Sequence, residues 1–395
     1  MSDMTGEQRP HAGVPEVVPR PRTDLEPLLG WLRGGEGVTR RTDFPAGTAL
    51  PDGRLDLCKQ ALGAEGAAAV AEALRQAPAT GAVRHLLLGT DGLGDAGAAA
   101  VAERTVGTAV ETLYLGCNGI TAGGACTIAD SLRASPQAVT GVWLKRNPLG
   151  PGGGEAAAGL VEAARSLRTL DLVQTGLDIA GLVLLVDALL VAAREGRGVE
   201  RLFVGGNALG AAGAAVLAGL VTDGAVGELY VSAARLGDEG GLILAEALRR
   251  APHGRLTRLS VASNGIGPRA CAALVAAAAA SGVELLDLGR VRAAAVLGAA
   301  DNRVDTPAAE AVAAALAAAP HRLGHLVLAG TGVRSREAHR LLDAAPGAAT
   351  PTRFVLGKGV ATSVRQRLDA LSAHIPYPAV PDAVAAVRSV HRTPR

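Results

Sequence analysis

Every asparagine of this 395-residue chain falls in the same position of an internal repeat. The five residues are Asn118, Asn147, Asn207, Asn264 and Asn302. Each lies two residues before an apolar anchor, and four of the five follow a short segment in which apolar residues alternate. A side-chain amide both donates and accepts hydrogen bonds, so it can satisfy backbone groups left open where a chain turns out of a stacked sheet. The sequence therefore predicts a structural ladder of asparagines in a chain of stacked repeats.

The anchors after the asparagine position define ten units. They are Leu62, Leu93, Ile120, Leu149, Leu177, Leu209, Leu236, Ile266, Val304 and Val333. Neighbouring anchors are 27 to 32 residues apart, except for one interval of 38. Apolar residues alternate before each anchor, as in a strand, and recur every three or four positions after it, as in a helix. A single strand–turn–helix unit has no second layer to bury its apolar face against, so the units must stack. We expect an α/β solenoid of about ten to eleven repeats.

Composition excludes several other classes of protein. Basic and acidic residues nearly balance, at 39 and 37, which does not favour binding to nucleic acid. The longest hydrophobic stretch, residues 179–193, contains Asp187 and is too short for a membrane-spanning helix. The four cysteines show no CxxC spacing, and no pattern predicts a metal site or a cofactor. We expect a reduced protein of the cytoplasm, without contact to a membrane.

The chain divides into four parts. Residues 1–22 are polar and rich in proline, which predicts a disordered N-terminal segment. Residues 23–52 are expected to form a helical cap, with a helix at residues 23–34 that covers the first repeat. The solenoid should extend over residues 53–372, with an insertion at about residues 289–299. Residues 373–395 form a proline-rich tail, for which docking on the last repeats and mobility are both open.

The repeat resembles the leucine-rich repeat family. The segments LYLGCNGITAGGACTIADSL, VWLKRNPLGPGG, LFVGGNALGAAGAAVLAGL and LSVASNGIGPRACAAL carry the resemblance. It is strongest to the long-repeat subtype of ribonuclease inhibitor and the Ran GTPase activators, and GAAAVAEAL is also similar to bacterial GALA-type repeats. The resemblance implies a curved parallel sheet on the concave side and helices on the convex side.

Five units depart from the asparagine pattern. The replacing residues are Gln60, Asp91, Thr175, Ala234 and Thr331. Ala234 alone has no polar side chain to take over the role of the amide. The turn at Ala234 is therefore expected to be locally weaker.

Scarce aromatic residues gather at one strand position. In each strand the residue between the two inward apolar residues should point to the concave side. Four of the eight aromatic residues of the chain occupy that position: Tyr114, Trp143, Phe203 and Tyr230. Aromatic side chains bury a large area at little entropic cost, so an exposed row of them predicts a protein-binding surface. The alternative is that these rings only stack across the strands and shield the sheet.

Polar residues on the same face extend the predicted protein-binding surface. They are His85, Lys145, Asp171, Arg201 and Arg258. Mixed charge around an aromatic centre could set the register and specificity of a partner. An ordinary solvated sheet face is the alternative, because isolated exposed charges contribute little.

The interval of 38 residues indicates an insertion directly after the ninth strand. Arg290 and Arg292 in this insertion are candidate ligand contacts if the loop leans over the concave face. Surface loops also accept extra residues at little cost, so the insertion need not be functional.

These patterns indicate a non-catalytic scaffold that binds a protein partner on its concave face. No nucleophile has a recognisable local base, and we expect neither a small-molecule substrate nor a cofactor. Resemblance to the Ran GTPase activators raises the alternative of a regulator of a GTPase. A rigid structural spacer with an unused inner face is the third hypothesis.

Overall fold

One open sheet organises the protein in the computed structural model, which describes residues 16–77 and 81–390. The order of the strands in space follows their order in the chain, from β1 to β13. The strands are β1 Thr42–Phe44, β2 Gly47–Ala49, β3 Arg54–Asp56, β4 His85–Leu87, β5 Thr112–Tyr114, β6 Gly141–Trp143, β7 Thr169–Asp171, β8 Arg201–Phe203, β9 Glu228–Tyr230, β10 Arg258–Ser260, β11 Leu285–Asp287, β12 His325–Val327 and β13 Arg353–Val355. Strands β3 to β13 are parallel, whereas β1 and β2 form an antiparallel hairpin that pairs with β3.

A helix follows each parallel strand, and each of these helices packs against the helix of the next unit. The helices are α1 Glu26–Gly34, α2 Gly63–Gln76, α3 Gly94–Thr105, α4 Ala122–Arg133, α5 Gly153–Ala163, α6 Ile179–Arg194, α7 Gly210–Thr222, α8 Gly237–Arg250, α9 Pro268–Ser281, α10 Thr306–Ala318, α11 Ser335–Ala344, α12 Thr362–Leu371 and α13 Asp382–Ala385. The expected α/β solenoid, with its parallel sheet and one layer of helices, is confirmed.

The core lies between the sheet and the helices. Its strand side consists of the alternating apolar residues of the repeat, such as Leu113 and Leu115, which are fully buried. On the helix side, small residues allow neighbouring helices to approach each other closely. A Cβ on Gly154 of α5 would lie 2.0 Å from the Cα of Gly181 in α6, so this contact requires glycine. The core is therefore built mainly from Leu, Val, Ala and Ile, and the aromatic residues Trp31, Phe44 and Phe354 pack against it near the two ends of the array.

The asparagines bridge neighbouring turns beneath the sheet edge. The Asn147 side chain shows the pattern: its Oδ1 accepts from the backbone nitrogens of Asn118 (2.8 Å) and Ile120 (3.1 Å). Its Nδ2 donates to the carbonyls of Leu115 and Leu144, both at 2.9 Å. Each buried amide thus joins its own turn to the preceding one, and the same donor pattern recurs at Asn118, Asn207, Asn264 and Asn302.

Asp91 occupies the ladder position of the second unit. One carboxylate oxygen accepts from the Gln60 backbone nitrogen at 2.7 Å. The other oxygen is buried and has no hydrogen-bond partner among the described residues. Burial raises the pKa of Asp91 to about 8, although backbone donors oppose the shift. The carboxyl group therefore replaces the acceptor of an asparagine but, when ionised, not its donor.

Ala234 weakens a turn other than its own. The backbone nitrogen of Ala234 still donates to Asn264 Oδ1 at 2.7 Å, so its own turn is satisfied. An asparagine at this position would reach back to the preceding turn. There, the Leu209 backbone nitrogen instead donates to the Asn207 carbonyl at 2.9 Å. The missing amide thus affects the turn one repeat earlier than the sequence pattern predicts.

The N-terminal cap is only partly helical. Arg22–Leu25 form a 3-10 turn before α1, whose buried leucines cover the first repeat. The hairpin β1–β2 follows, and Trp31 of α1 contacts Phe44 of β1 with a ring-centroid distance of 5.2 Å. Its strands lie outside the repeat, so no recurrence at a fixed spacing reveals them. The expected helix at residues 23–34 is thus present, and the rest of the cap contains a hairpin that the sequence pattern did not predict.

Both ends of the described chain contact the solenoid. In the segment expected to be disordered, the Arg20 backbone nitrogen donates to the Ala61 carbonyl at 2.8 Å. Residues 1–15 of that segment, and residues 391–395 of the tail, lie outside the described residues. Residues 373–390 return from the last repeat towards the first, across the concave side.

Candidate functional site

Two columns of side chains line the concave face. The middle residue of each three-residue strand points into the core, so the first and last residues face the other side. We call the last-position residues Tyr114, Trp143, Phe203 and Tyr230 the ring row, and the first-position residues of strands β3 to β13 the donor column. Parallel pairing aligns both columns in register, with Tyr114 beside Trp143 and Phe203 beside Tyr230.

The ring row is continuous. The centroid distances are 6.4 Å from Tyr114 to Trp143, 5.3 Å from Trp143 to Phe203, and 4.2 Å from Phe203 to Tyr230. The last pair is stacked, with planes only 7° apart. Trp143 and Phe203 lie two strands apart, a backbone separation of about 10 Å, so both rings must lean over the strand between them. The structure thus brings the four predicted rings together.

Asp171 lies on that intervening strand, beneath the two rings. It is 2% exposed, and its Oδ1 accepts from the Val173 backbone nitrogen at 2.9 Å. Burial raises the pKa of this carboxyl to about 6, although the Val173 hydrogen bond and the charge of Lys145 lower it. Asp171 was expected to contact a partner, and this expectation is wrong for the structure described, since the rings cover it.

Exposure differs along the ring row. Trp143 is only 3% exposed, and its indole nitrogen has no hydrogen-bond partner among the described residues. The expectation of an exposed row is therefore wrong at Trp143, because the neighbouring rings pack against it. Tyr114, Phe203 and Tyr230 are half-buried and keep part of their surface accessible. The stacking alternative thus accounts for the centre of the row, while its two ends can still contact a partner.

Charged groups fix the ends of the ring row. At one end, the Lys145 ammonium lies 5.1 Å from the centroid of the Tyr114 ring. At the other end, the Tyr230 hydroxyl donates to Glu228 Oε2 at 2.6 Å. Glu228, which is 5% exposed, also pairs with Arg201 at 3.3 Å and with Arg258 at 3.8 Å. Burial and the Glu228 carboxylate raise the pKa of Tyr230, so its hydroxyl stays protonated.

The remaining predicted residues lie apart from the rings. His85 is half-buried, and its Nδ1 lies 3.0 Å from Thr112 Oγ1; burial lowers its pKa. Arg290 pairs with Asp301 at 3.4 Å, and both Arg290 and Arg292 are exposed. The two arginines of the insertion therefore do not join the ring row in this structure.

Apolar residues of the insertion approach the stacked ring pair instead. Val291, Ala293 and Leu297 line an open cavity of about 240 Å³ together with Phe203 and Tyr230. Two hydrogen bonds hold the loop in place. The Val291 backbone nitrogen donates to the Ser263 hydroxyl at 2.9 Å, and the Leu297 carbonyl accepts from the Arg235 guanidinium at 2.9 Å. Sequence reasoning selected the charged residues of this loop and missed the apolar ones. The available signal was composition, since six of the nine residues of GRVRAAAVL are apolar.

Other kinds of site find no support in the described residues. Three or more His, Cys, Asp or Glu side chains nowhere come together there as a metal site would require. Each helix within residues 16–77 and 81–390 is too short or too polar to span a membrane.

Strand–turn–helix units that share one open, mostly parallel sheet and an asparagine ladder make up a leucine-rich repeat fold. A similar solved structure is the leucine-rich repeat-containing protein LegL7 from Legionella pneumophila. It is 14% identical, with a TM-score of 0.43, and the match covers 80% of this chain and 88% of LegL7. No protein-family model matches the sequence, and no curated protein matches it.

Proposed function

We propose that this protein is a non-catalytic scaffold that binds a protein partner on its concave face. The observation that carries the proposal is the open cavity between the stacked rings of Phe203 and Tyr230 and the apolar side of the insertion. Here two elements from distant parts of the chain, β8–β9 and residues 291–297, leave apolar surface uncovered. A concavity lined by apolar side chains can receive an apolar group of a partner.

The size of the cavity favours a protein over a small molecule. Small-molecule pockets usually measure about 300–1,000 Å³, whereas a cavity of about 150 Å³ can hold a benzene ring. A space of about 240 Å³ therefore suits one apolar or aromatic side chain. Such a side chain would be the anchor of the partner, with the half-buried rings and the network around Glu228 at its edge.

An experiment can fill the cavity without disturbing the core. Ala293→Phe adds a ring to the cavity wall, and Val296→Phe adds the same ring to the same loop in solvent, because Val296 is 91% exposed. Both variants and the unmodified chain would serve as bait in quantitative affinity purification from the native lysate. We expect Ala293→Phe to lose at least 90% of the captured partner, while Val296→Phe retains it. Equal capture by the three baits would refute the proposal.

A rigid spacer is the second candidate function. The observation in its favour is the burial of Trp143 and Asp171, which shows that part of the inner face packs on itself. A spacer has no need of an accessible inner face. If the protein is a spacer, Ala293→Phe should not change which proteins the bait captures.

A further inference from the structure

The C-terminal tail, residues 373–390, is bound by the donor column. Four side chains of this column donate to main-chain carbonyls of the tail or of the residue before it. Arg353 donates to Ser372 and Ile375, both at 2.9 Å, and His325 Nε2 lies 2.8 Å from the Pro376 carbonyl. Arg258 donates to Ala379 at 3.0 Å, and Arg54 donates to Arg388 at 2.7 Å.

These contacts follow a strict order. As the tail proceeds from residue 375 to residue 388, its partners pass from β13 to β12, β10 and β3. At its far end the Val390 backbone nitrogen donates to Asp56 on β3. Ala386 is 8% exposed although it belongs to the tail, so the segment is seated rather than free. The tail therefore runs back along the entire array of parallel strands.

The tail takes a chord across the concave side. From β10 to β3 the sheet advances seven strand spacings, which is about 34 Å. The nine steps from Ala379 to Arg388 include the helical turn α13 and can span only about 23 Å. The tail is thus too short to follow the sheet and must cross in front of strands β4–β9, which carry the ring row.

The chemistry of the donor column explains what it recognises. Six of the eleven first-position residues of β3 to β13 are basic, namely Arg54, His85, Arg201, Arg258, His325 and Arg353. Four of the six donate to main-chain carbonyls, an acceptor that every residue offers, so recognition depends on the path of the chain rather than on its side chains. Prolines at positions 376, 378 and 381 favour an extended path with free carbonyls. One stacking contact adds to this, since the Arg353 guanidinium lies 4.5 Å from the Tyr377 ring centroid.

We infer that the donor column is a binding surface for the main chain of an extended, proline-rich polypeptide, and that residues 373–390 occupy it as an internal ligand. A partner on the concave face must displace this tail, which makes the tail a competitor; that second statement rests on the proposed function. Arg258 connects the two surfaces, because it binds the Ala379 carbonyl and also pairs with Glu228 beside Tyr230.

Proteolysis tests the seating of the tail without any partner. Trypsin cleaves after Arg388, whose carbonyl is held by Arg54. In the double variant Arg54→Met with Arg258→Met we expect cleavage of the 388–389 bond, followed by mass spectrometry, to become at least tenfold faster. Arg84→Met is the matched control, since Arg84 pairs with Glu111 and not with the tail, and should leave the rate unchanged.

A second variant changes only the tail and therefore cannot disturb the solenoid. Val390→Pro removes the N–H that donates to Asp56, and it should also accelerate cleavage at 388–389. Unchanged cleavage in both the double variant and Val390→Pro would overturn the inference.

A binding assay tests the surface itself. Residues 376–390 of the full chain would be replaced by alternating Gly and Ser of equal length. A fluorescent peptide with the sequence of residues 374–390 should bind this chain and not the unmodified one, and adding Arg258→Met should weaken binding about tenfold. A peptide that binds neither chain would refute the surface. Because neither assay involves a partner, the result is independent of whether Ala293→Phe abolishes partner capture.

Discussion

Removal of one ladder amide measures how much the asparagines stabilise the solenoid. Asn147→Ala deletes four hydrogen bonds, but the four partners are not equally affected. The Leu115 carbonyl still accepts from Asn118 Nδ2 at 2.9 Å, and the Leu144 carbonyl still accepts from the backbone nitrogen of residue 147 at 3.3 Å. The Ile120 backbone nitrogen can turn to the Asn118 carbonyl, as the Leu209 nitrogen does to Asn207 in the turn before Ala234, but the Asn118 backbone nitrogen loses its Oδ1 acceptor and gains none.

The orphaned donor at Asn118 determines most of the magnitude. A buried donor without a partner costs about 1–3 kcal/mol, and the cavity left by the amide adds to this. We therefore expect the free energy of unfolding to fall by about 4 kcal/mol. Thr175→Val is the matched control at another ladder position. It removes one donor to the Leu172 carbonyl, which keeps its bond from Asn207 Nδ2 at 2.9 Å, so the loss should be about 1 kcal/mol or less.

Denaturant unfolding followed by circular dichroism gives both free energies. Hydrogen exchange adds the location, because damage in a repeat array stays close to the altered unit. In Asn147→Ala the amides of residues 118 and 120 should exchange faster, whereas that of Asn264, four units away, should not. Equal destabilisation by Asn147→Ala and Thr175→Val would refute the reasoning, since it would show that the count of orphaned donors does not set the cost.

Two further predictions concern buried groups. Asp91→Asn should remove a pH dependence: the pKa of Asp91 is raised to about 8 in the fold, so its contribution is complete below about pH 4 and is lost as the pH rises through 8. Above pH 8 the variant should exceed the unmodified chain by on the order of 6 kcal/mol in unfolding free energy, and a constant difference from pH 4 to 9 would contradict this. Trp143→Phe should leave stability nearly unchanged, because the indole nitrogen has no partner to lose, whereas Trp143→Ala should cost about 3–5 kcal/mol in thermal or denaturant unfolding. A neutral Trp143→Ala would show that the ring is not part of the packing.

Local residue patterns determined the repeat. Leu113 and Leu115 alternate with a concave residue, and the period of two fixes which side of a strand each side chain occupies, whatever the rest of the chain does. The hydrogen bonds of each ladder asparagine likewise involve only two turns: the turn that contains the asparagine and the corresponding turn of the preceding unit. The α/β solenoid and its ladder could therefore be predicted from spacing alone. The strands of the N-terminal hairpin could not, because they occur once and outside the repeat, so no recurrent spacing marks them.

Tertiary structure decided how the concave face is used. Residue spacing placed Trp143 and Asp171 on that face, but the lean of rings from strands two positions apart buried them, and lean depends on side-chain packing between units. The same holds for the apolar side of the insertion, which meets Phe203 and Tyr230 because the loop folds back over the turns of preceding units, where it is bonded to Ser263 and Arg235. The path of the tail depends on the distance across the concave side, because a segment too short to follow the sheet must cross it. Sequence periodicity reports which face a residue occupies; whether that face is open depends on contacts between residues up to 334 positions apart.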